Sequence, residues 1–243
     1  RDPNFDARTA VVIATLFMYP GDILLLEMQN ADFYAFETDP LERACVEQAT
    51  ALGLHVIEAA GNGENGTLRG NLEALTHPFT GERVFDLLQS DSQAVMVGAV
   101  RSADTAWNYN SVHQAMSFSN WGRRVDACAW GQNVTAPGYG PNSSRNAFPA
   151  GSSDPNQWYT DGYSGTSSAS AVVAGAAGVL AQMFRERFGQ NPTPAQLRNL
   201  LRMGTPSQPV YGEVGRMPDL RYQNDLLRRA GVLEHVFVGK QGR

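Results

Sequence analysis

A cluster of hydroxyl groups opens the most apolar helical segment of the chain, the stretch YSGTSSASAVVAGAAG at residues 163–178. Ser167 lies where a glycine-containing turn meets this helix. The free backbone N–H groups and the positive end of the helix macrodipole favour negative charge there, so a serine at this point could attack as a nucleophile. The alternative is that Ser164, Thr166 and Ser167 only cap a buried helix, and the segment taken alone favours capping.

A second segment with chemical potential is AAGNGENG, which follows a strand-like apolar run. Gly61, Gly63 and Gly66 fit the dinucleotide pattern G-x-G-x-x-G, but that pattern needs a helix opening at once and an acidic residue after the next strand. The sequence supplies neither. A plain turn is one alternative. The other is an oxyanion site, because ligands of open α/β sheets bind at the carboxyl ends of strands, where the Asn62 amide would donate to developing negative charge.

The segments around these residues alternate between strand and helix patterns. ILLLEM (23–28) and LHVIEAA (54–60) are apolar runs of strand length, and PLERACVEQATALG (40–53) between them has helical spacing. QAVMVGAV (93–100) and RVDACAW (124–130) predict two more buried strands. Strands that are apolar on both faces and alternate with helices indicate a parallel sheet. The expected fold class is therefore α/β, with three layers around a mostly parallel central sheet.

Composition excludes several classes of function. The 243 residues are 42% hydrophobic and 18% charged, which is enough for one large core. A net charge of -5 argues against a nucleic-acid partner, which needs an excess of Lys and Arg. The most apolar stretch, 169–184, is short and interrupted by glycine, so no membrane span is expected. Cys45 and Cys128 lie in apolar contexts and form neither a disulfide framework nor a metal spacing.

The segment GTSSASAVVAG closely resembles the nucleophile segment of the subtilases, the subtilisin-like serine proteases, and VIEAAGNG resembles their oxyanion-hole segment. The two occur in the family's order. AVMVGAV and SFSNWGRRVDACAWG between them are similar to paired strands of the family, and TPAQLRNLLRMG followed by MPDLR is similar to its C-terminal helices. The resemblance implies a subtilisin-like peptidase domain over residues 1–222, followed by a C-terminal helix and tail over 223–243.

The resemblance also implies roles for particular residues. Ser167 is the expected nucleophile, and Asn62 is the expected donor to the oxyanion. Segments 24–30 and 59–63 are expected to form the walls of a groove to which an extended protein or peptide substrate adds as a strand. The substrate-binding residues expected in these walls and strands are Glu27, Met28, Gln29, Glu58, Ala60, Gly61 and Gly63.

Glu27 and Glu58 raise a question of substrate preference. Each lies near the end of an apolar strand, and one crossover joins the two strands, so we expect the carboxyl groups to lie close together. Paired carboxylates in a poorly solvated groove raise one pKa, or bind a cationic side chain of the substrate. The pair therefore predicts tolerance of Lys or Arg in the primary pocket. The alternative is that loop N–H groups satisfy each carboxylate separately.

The aspartate and histidine segments that complete the family's triad do not occur in this sequence. His55 lies about 23 Å before Asn62 along one strand, at about 3.3 Å per residue, so we expect a packed histidine there. His113 is the better candidate for a base among the remaining histidines. The chain opens in a helical pattern without an initiator Met, which predicts that residues precede Arg1. We therefore expect Asp and His from an upstream segment or a second chain.

These features together predict a serine endopeptidase, a hydrolase that cleaves peptide bonds through a serine acyl-enzyme. The chain alone is expected to have little turnover. A pseudoprotease that binds peptides without cutting them is the main alternative, and a structural fragment left by maturation is another. The resemblance implies an extracellular, secreted protein that requires no cofactor. Subtilases often bind structural calcium, but no ligand loop stands out in the sequence, so no metal ligand is assigned.

Overall fold

The computed structural model describes residues 6–63, 70–77, 80–85, 91–102, 112–138, 153–210 and 212–230. The strands in chain order are β1 (Ile23–Leu26), β2 (His55–Ala59), β3 (Val95–Val100), β4 (Ala127–Trp130), β5 (Val134–Pro137), β6 (Tyr159–Tyr163), β7 (Thr205–Pro206) and β8 (Arg216–Met217). The α-helices are α1 (Ala7–Thr15), α2 (Pro40–Ala51), α3 (Thr166–Phe188), α4 (Pro194–Leu201) and α5 (Leu220–Ala230).

A six-stranded sheet with the order β1-β2-β3-β4-β8-β7 forms the centre of the fold. The pairs from β1 to β8 are parallel, and β7 pairs antiparallel with β8 at one edge. All residues of β2 and β3 are buried, as expected for parallel strands that helices cover on both faces. The α/β fold class is therefore confirmed. β5 and β6 form a separate antiparallel pair that leads into α3.

The β1-α2-β2 crossover follows the local signals of the sequence. The Asp39 side chain accepts hydrogen bonds from the Leu41 and Glu42 N–H groups, and Pro40 occupies the first position of α2, where its missing N–H costs nothing. Gly53 follows the helix with a φ of 85°, a conformation that favours glycine. The turn then enters β2, so both ends of the crossover are encoded by nearby residues.

Helix α3 runs across the sheet and contacts the four strands β1 to β4. Its inner face carries mainly small residues, and Ala169, Val173, Ala177 and Leu180 are fully buried. Among the described residues, α3 alone has the length and apolar composition of a candidate membrane span. Because these residues pack against the central strands, the structure favours a core helix. The small side chains let the backbone of α3 approach the sheet closely.

Helix α5 crosses the domain boundary that we expected at residue 222. Leu227 is buried in the same apolar cluster as Leu180 of α3. The Gln223 amide donates a hydrogen bond of 2.8 Å to the Leu200 carbonyl at the end of α4. The expected boundary therefore falls within a helix that packs into the central core.

His55 begins β2 at the end of the strand that lies away from Asn62. The side chain is 2% exposed, and neither ring nitrogen has a hydrogen-bond partner. Burial lowers the pKa of His55 to about 4, because the charged ring would lose its hydration. A packed, neutral histidine was expected here from the length of the strand, and the burial agrees with that expectation.

We expect the buried ring of His55 to make the protein less stable in acid. The unfolded residue binds a proton near its ordinary pKa of 6.5, whereas the folded ring resists protonation until about pH 4. The free energy of unfolding therefore falls as the pH is lowered from 6.5 to 4, by about 3 kcal/mol at 1.36 kcal/mol per pKa unit. Urea unfolding of the wild type and of His55→Leu, at pH 7 and pH 4, measures the difference. An equal loss of stability in both proteins would contradict this account.

Candidate active site

Ser167 lies in the first turn of α3 and is half-buried. Its hydroxyl donates a hydrogen bond of 3.1 Å to the Glu27 carbonyl, just beyond β1. The neighbouring hydroxyls are buried in structural contacts: Ser168 donates to the Trp130 carbonyl and Ser170 to the Ser167 carbonyl. Ser167 is therefore the hydroxyl of this turn that a substrate could reach.

Gly165 forms the turn that leads into α3. Its φ of 100° favours glycine, and its N–H donates a hydrogen bond of 3.0 Å to the Gly131 carbonyl. A Cβ at this position would lie 3.2 Å from the side-chain nitrogen of Asn62. The backbone conformation therefore favours glycine, and a larger residue would also crowd the Asn62 side chain. As the N-cap residue of α3, Gly165 has no side chain to cap the helix.

Asn62 caps α3 from another element of the fold. Its side-chain oxygen accepts hydrogen bonds from the Thr166 N–H at 2.8 Å and from the Thr166 hydroxyl at 2.9 Å. The first N–H groups of a helix have no acceptor within the helix, and Asn62 satisfies one of them. Since Thr166 precedes Ser167, the structure brings the Asn62 carboxamide and the turn that carries Ser167 to one corner, where β2 ends and α3 begins.

Glu27 and Met28 follow β1 and point to different surroundings. The exposed Glu27 carboxylate accepts a hydrogen bond of 3.0 Å from the Tyr163 hydroxyl, and the Glu27 carbonyl meets the hydroxyl of Ser167. Met28 is half-buried against the apolar cluster on the α1 and α2 side of the sheet. The Glu27 carboxylate therefore lies near the start of α3, whereas the Met28 side chain mainly packs.

The expected pairing of Glu27 with Glu58 is wrong. In the register of β1 and β2, Leu26 lies beside Glu58, so the two side chains share the face of the sheet that α1 and α2 cover. Glu27, one residue later, falls on the α3 side, where it contacts Tyr163. Glu58 is also 0% exposed. Its side chain therefore cannot line a substrate groove at this corner.

Glu58 belongs instead to a buried ion cluster that was not predicted from the sequence. Arg124 is the central cation: its guanidinium contacts the Glu37 carboxylate, the Asp126 carboxylate at 2.8 Å and the Glu58 carboxylate at 3.5 Å. Asp126 also binds Arg198 and Arg202. Burial raises the pKa of Glu58 well above its usual range, and the negative charge of Glu37 raises it further while Arg124 opposes the shift.

We expect Glu58→Gln to be tolerated and Arg124→Met to be strongly destabilising. Burial favours the protonated form of Glu58, and an amide resembles a protonated carboxyl, so the free energy of unfolding should change by less than about 1 kcal/mol. Loss of Arg124 leaves the buried Glu37 carboxylate without its cation, while Asp126 keeps Arg198 and Arg202, and should cost about 3–5 kcal/mol.

Denaturant titrations at pH 5 and at higher pH measure both effects. Ionisation of the buried Glu58 is unfavourable, so the wild type should lose stability as the pH rises through its raised pKa. Glu58→Gln should lose less over the same range. Similar destabilisation by the two substitutions at pH 5 would contradict the assignment of Arg124 as the central cation.

The structure buries Ala60, Gly61 and Gly63, the residues expected in the other groove wall. The Asn120 side-chain amide donates hydrogen bonds to the Ala60 and Phe33 carbonyls at 2.7 and 2.8 Å. The backbone N–H of Asn120 donates to the Gly61 carbonyl. A Cβ on Gly61 would lie 2.3 Å from the Phe33 carbonyl oxygen. The chain itself therefore covers this segment. Asn120 was not predicted from the sequence, because its partners are distant along the chain.

In the described part of the chain, the Ser167 hydroxyl has the Glu27 carbonyl, and no histidine, as its hydrogen-bond partner. His55 is buried at the far end of β2, and His113 lies in a turn whose backbone bonds to Arg101 and Gln208. His235, like the rest of the tail at 231–243, lies outside the described residues. In the described ranges, no group of three or more His, Cys, Asp or Glu side chains could hold a metal ion. Both cysteines are free thiols, and burial raises the pKa of Cys128 to about 12.

The site thus consists of a serine in the first turn of α3 and an asparagine carboxamide beside that turn, at the carboxyl edge of a parallel sheet. The model of the subtilase family matches residues 33–231. The chain therefore belongs to the subtilase family.

Solved structures show the same fold. A cold-adapted subtilisin-like serine proteinase is 18% identical, with a TM-score of 0.52 over 87% of this chain and 61% of that one. A protease from Pseudoalteromonas arctica is 18% identical, with a TM-score of 0.51 over 85% and 51%. The prenylagaramide maturation protease PagA is 19% identical, with a TM-score of 0.54 over 90% and 66%. The chain thus spans less than two thirds of these relatives. No curated protein sequence matches it.

Proposed function

We propose that this chain supplies the nucleophile and the oxyanion donor of a serine endopeptidase. The Ser167 hydroxyl attacks a peptide carbonyl, the amine leaves as an acyl-enzyme forms, and water then hydrolyses the ester. The observation that carries the proposal is the double hydrogen bond from Thr166 to the Asn62 carboxamide, one residue before Ser167. Family membership supports the same reaction, which needs no cofactor. The family resemblance also supports an extracellular location.

The oxyanion donors follow from how Asn62 is bonded. Its carboxamide oxygen is occupied by Thr166, so the two N–H groups on the side-chain nitrogen are the part of the amide that remains to donate. The Ser167 N–H, which has no acceptor within α3, is a second donor at the same corner. Two preorganised donors at the positive end of α3 would stabilise the tetrahedral intermediate.

A base must remove the Ser167 proton, and the carbonyl that now accepts this hydroxyl is too weak a base to do so. We propose that a histidine and its orienting aspartate come from an upstream segment or a second chain. The topology supports this arrangement. Among the described strands, β1 has β2 as its only neighbour, so its outer edge is open. A strand added in parallel there would end beside Glu27, next to Ser167.

A fluorophosphonate should label Ser167 when the chain is combined with the segment that carries the aspartate and histidine. The adduct, located by mass spectrometry, should disappear in Ser167→Ala and persist in Ser164→Ala, which removes the exposed hydroxyl three residues earlier. Asn62→Ala should lower kcat by about 10²–10³-fold with little change in KM, as loss of one oxyanion donor does. The absence of a Ser167 adduct would refute the proposal, and peptide binding without an adduct would identify a pseudoprotease.

The Glu27 carboxylate supports a preference for basic substrate side chains. The Tyr163 hydroxyl anchors this exposed carboxylate, and the Glu27 backbone touches the proposed nucleophile, so the charge lies close to the scissile bond. The preference no longer depends on Glu58, which the structure removes from this surface.

Glu27→Gln should reduce cleavage of peptides with Lys or Arg at the primary site by about fivefold to tenfold relative to neutral peptides. An exposed ion pair contributes about 1 kcal/mol, and the amide keeps the shape of the side chain. Asp161→Asn, an exposed acidic position on β6, is the matched control and should leave the preference unchanged. A cleavage profile on peptide libraries measures both variants. A profile in which Glu27→Gln matches the wild type would exclude Glu27 as the determinant.

A further inference from the structure

We propose that Gln29 is a positioning residue for Asn62, an inference that rests on the function proposed above. Gln29 is half-buried and lies three residues beyond the end of β1. Its side-chain oxygen accepts a hydrogen bond of 2.7 Å from the Asn62 backbone N–H. The family resemblance predicts Gln29 in the wall of the substrate groove, whereas in the structure its side chain binds the proposed oxyanion donor.

Asn62 needs a contact with another segment of the chain because glycines flank it on both sides. It follows the end of β2 and is flanked by Gly61, with a φ of 92°, and by Gly63. Glycine gives the backbone on both sides of Asn62 unusual freedom. Thr166 fixes the side-chain oxygen, and Gln29 fixes the main-chain nitrogen. Together these contacts determine where the donor amide points.

The segment that carries Gln29 is itself held in place. Gln29 forms an antiparallel bridge with Ala35, and the Asn30 side-chain oxygen accepts hydrogen bonds from the Asp32 and Tyr34 N–H groups. Two residues before Gln29, the Glu27 carbonyl accepts the hydroxyl of Ser167. One short segment, residues 27–29, therefore contacts both the proposed nucleophile and the proposed oxyanion donor. It sets their relative positions.

A double-mutant cycle tests this role in the complete enzyme, the chain combined with its aspartate- and histidine-bearing segment. Gln29→Met removes the acceptor at similar length and should lower kcat by about tenfold to a hundredfold with KM nearly unchanged, because small misplacements of a catalytic group are costly. In an Asn62→Ala background the same substitution should have little further effect, since Gln29 acts through the Asn62 carboxamide. Gln48→Met, on the exposed face of α2, is the matched control.

Hydrogen exchange of the Asn62 amide provides a readout that does not depend on turnover. Exchange should be slow in the wild type, at least about tenfold faster in Gln29→Met, and again slow in Gln29→Glu, which keeps an acceptor oxygen. If Gln29→Met fails to fold, the exchange rate of the Asn62 backbone amide in the wild type still tests the inference. Exchange of this amide at the rate of a free peptide would overturn it.

Other results would also overturn the positioning role. These are an unchanged kcat in Gln29→Met, or an equal loss of kcat with and without the Asn62 carboxamide. Failure of fluorophosphonate to label the wild-type enzyme at Ser167 would instead refute the proposed function. The two failures are therefore distinguishable.

Discussion

The hydrogen bonds between Asn62 and Thr166 join the end of β2 to the start of α3, and the rest of the site depends on them. Helix α3 begins with Gly165, which has no side chain to cap it, so an amide from a neighbouring strand performs that task. A cap of this kind stabilises a helix by about 1 kcal/mol. Its positional effect is larger. It fixes the first turn of α3, and with it Ser167, against the carboxyl edge of a sheet whose strands β2 and β3 are fully buried.

Local signals in the sequence predicted the elements and the two central residues. The apolar runs of β2 and β3 mark strands buried on both faces, and Gly53 ends the α2 segment as expected. Ser167 and Asn62 stand out because each sits at a junction that a short motif encodes. The strands proved shorter than the apolar runs, since β1 ends at Leu26 and leaves Glu27 to face the site.

Contacts between distant residues could not be predicted in the same way. Asn120 bonds to Ala60 across 60 positions, and Gln29 bonds to Asn62 across 33. These pairs depend on how loops meet after the sheet has formed, and a single sequence carries no signal for that. The incorrect pairing of Glu27 with Glu58 was avoidable in part, because successive side chains of a strand point to opposite faces of the sheet. Leu26 lies beside Glu58 and shares its face, so Glu27 points to the other face. The ion cluster around Arg124 follows from this same burial: it compensates carboxylates that the sheet has removed from water.

The outer edge of β1 affects the solubility of the protein. Among the described strands, nothing but β2 pairs with β1, and unpaired backbone groups do not discriminate between a proper partner and any other extended polypeptide, including a second copy of the chain. An edge of this kind is a template for aggregation until another strand pairs with it. Timely pairing during biosynthesis is therefore a matter of solubility as well as of chemistry.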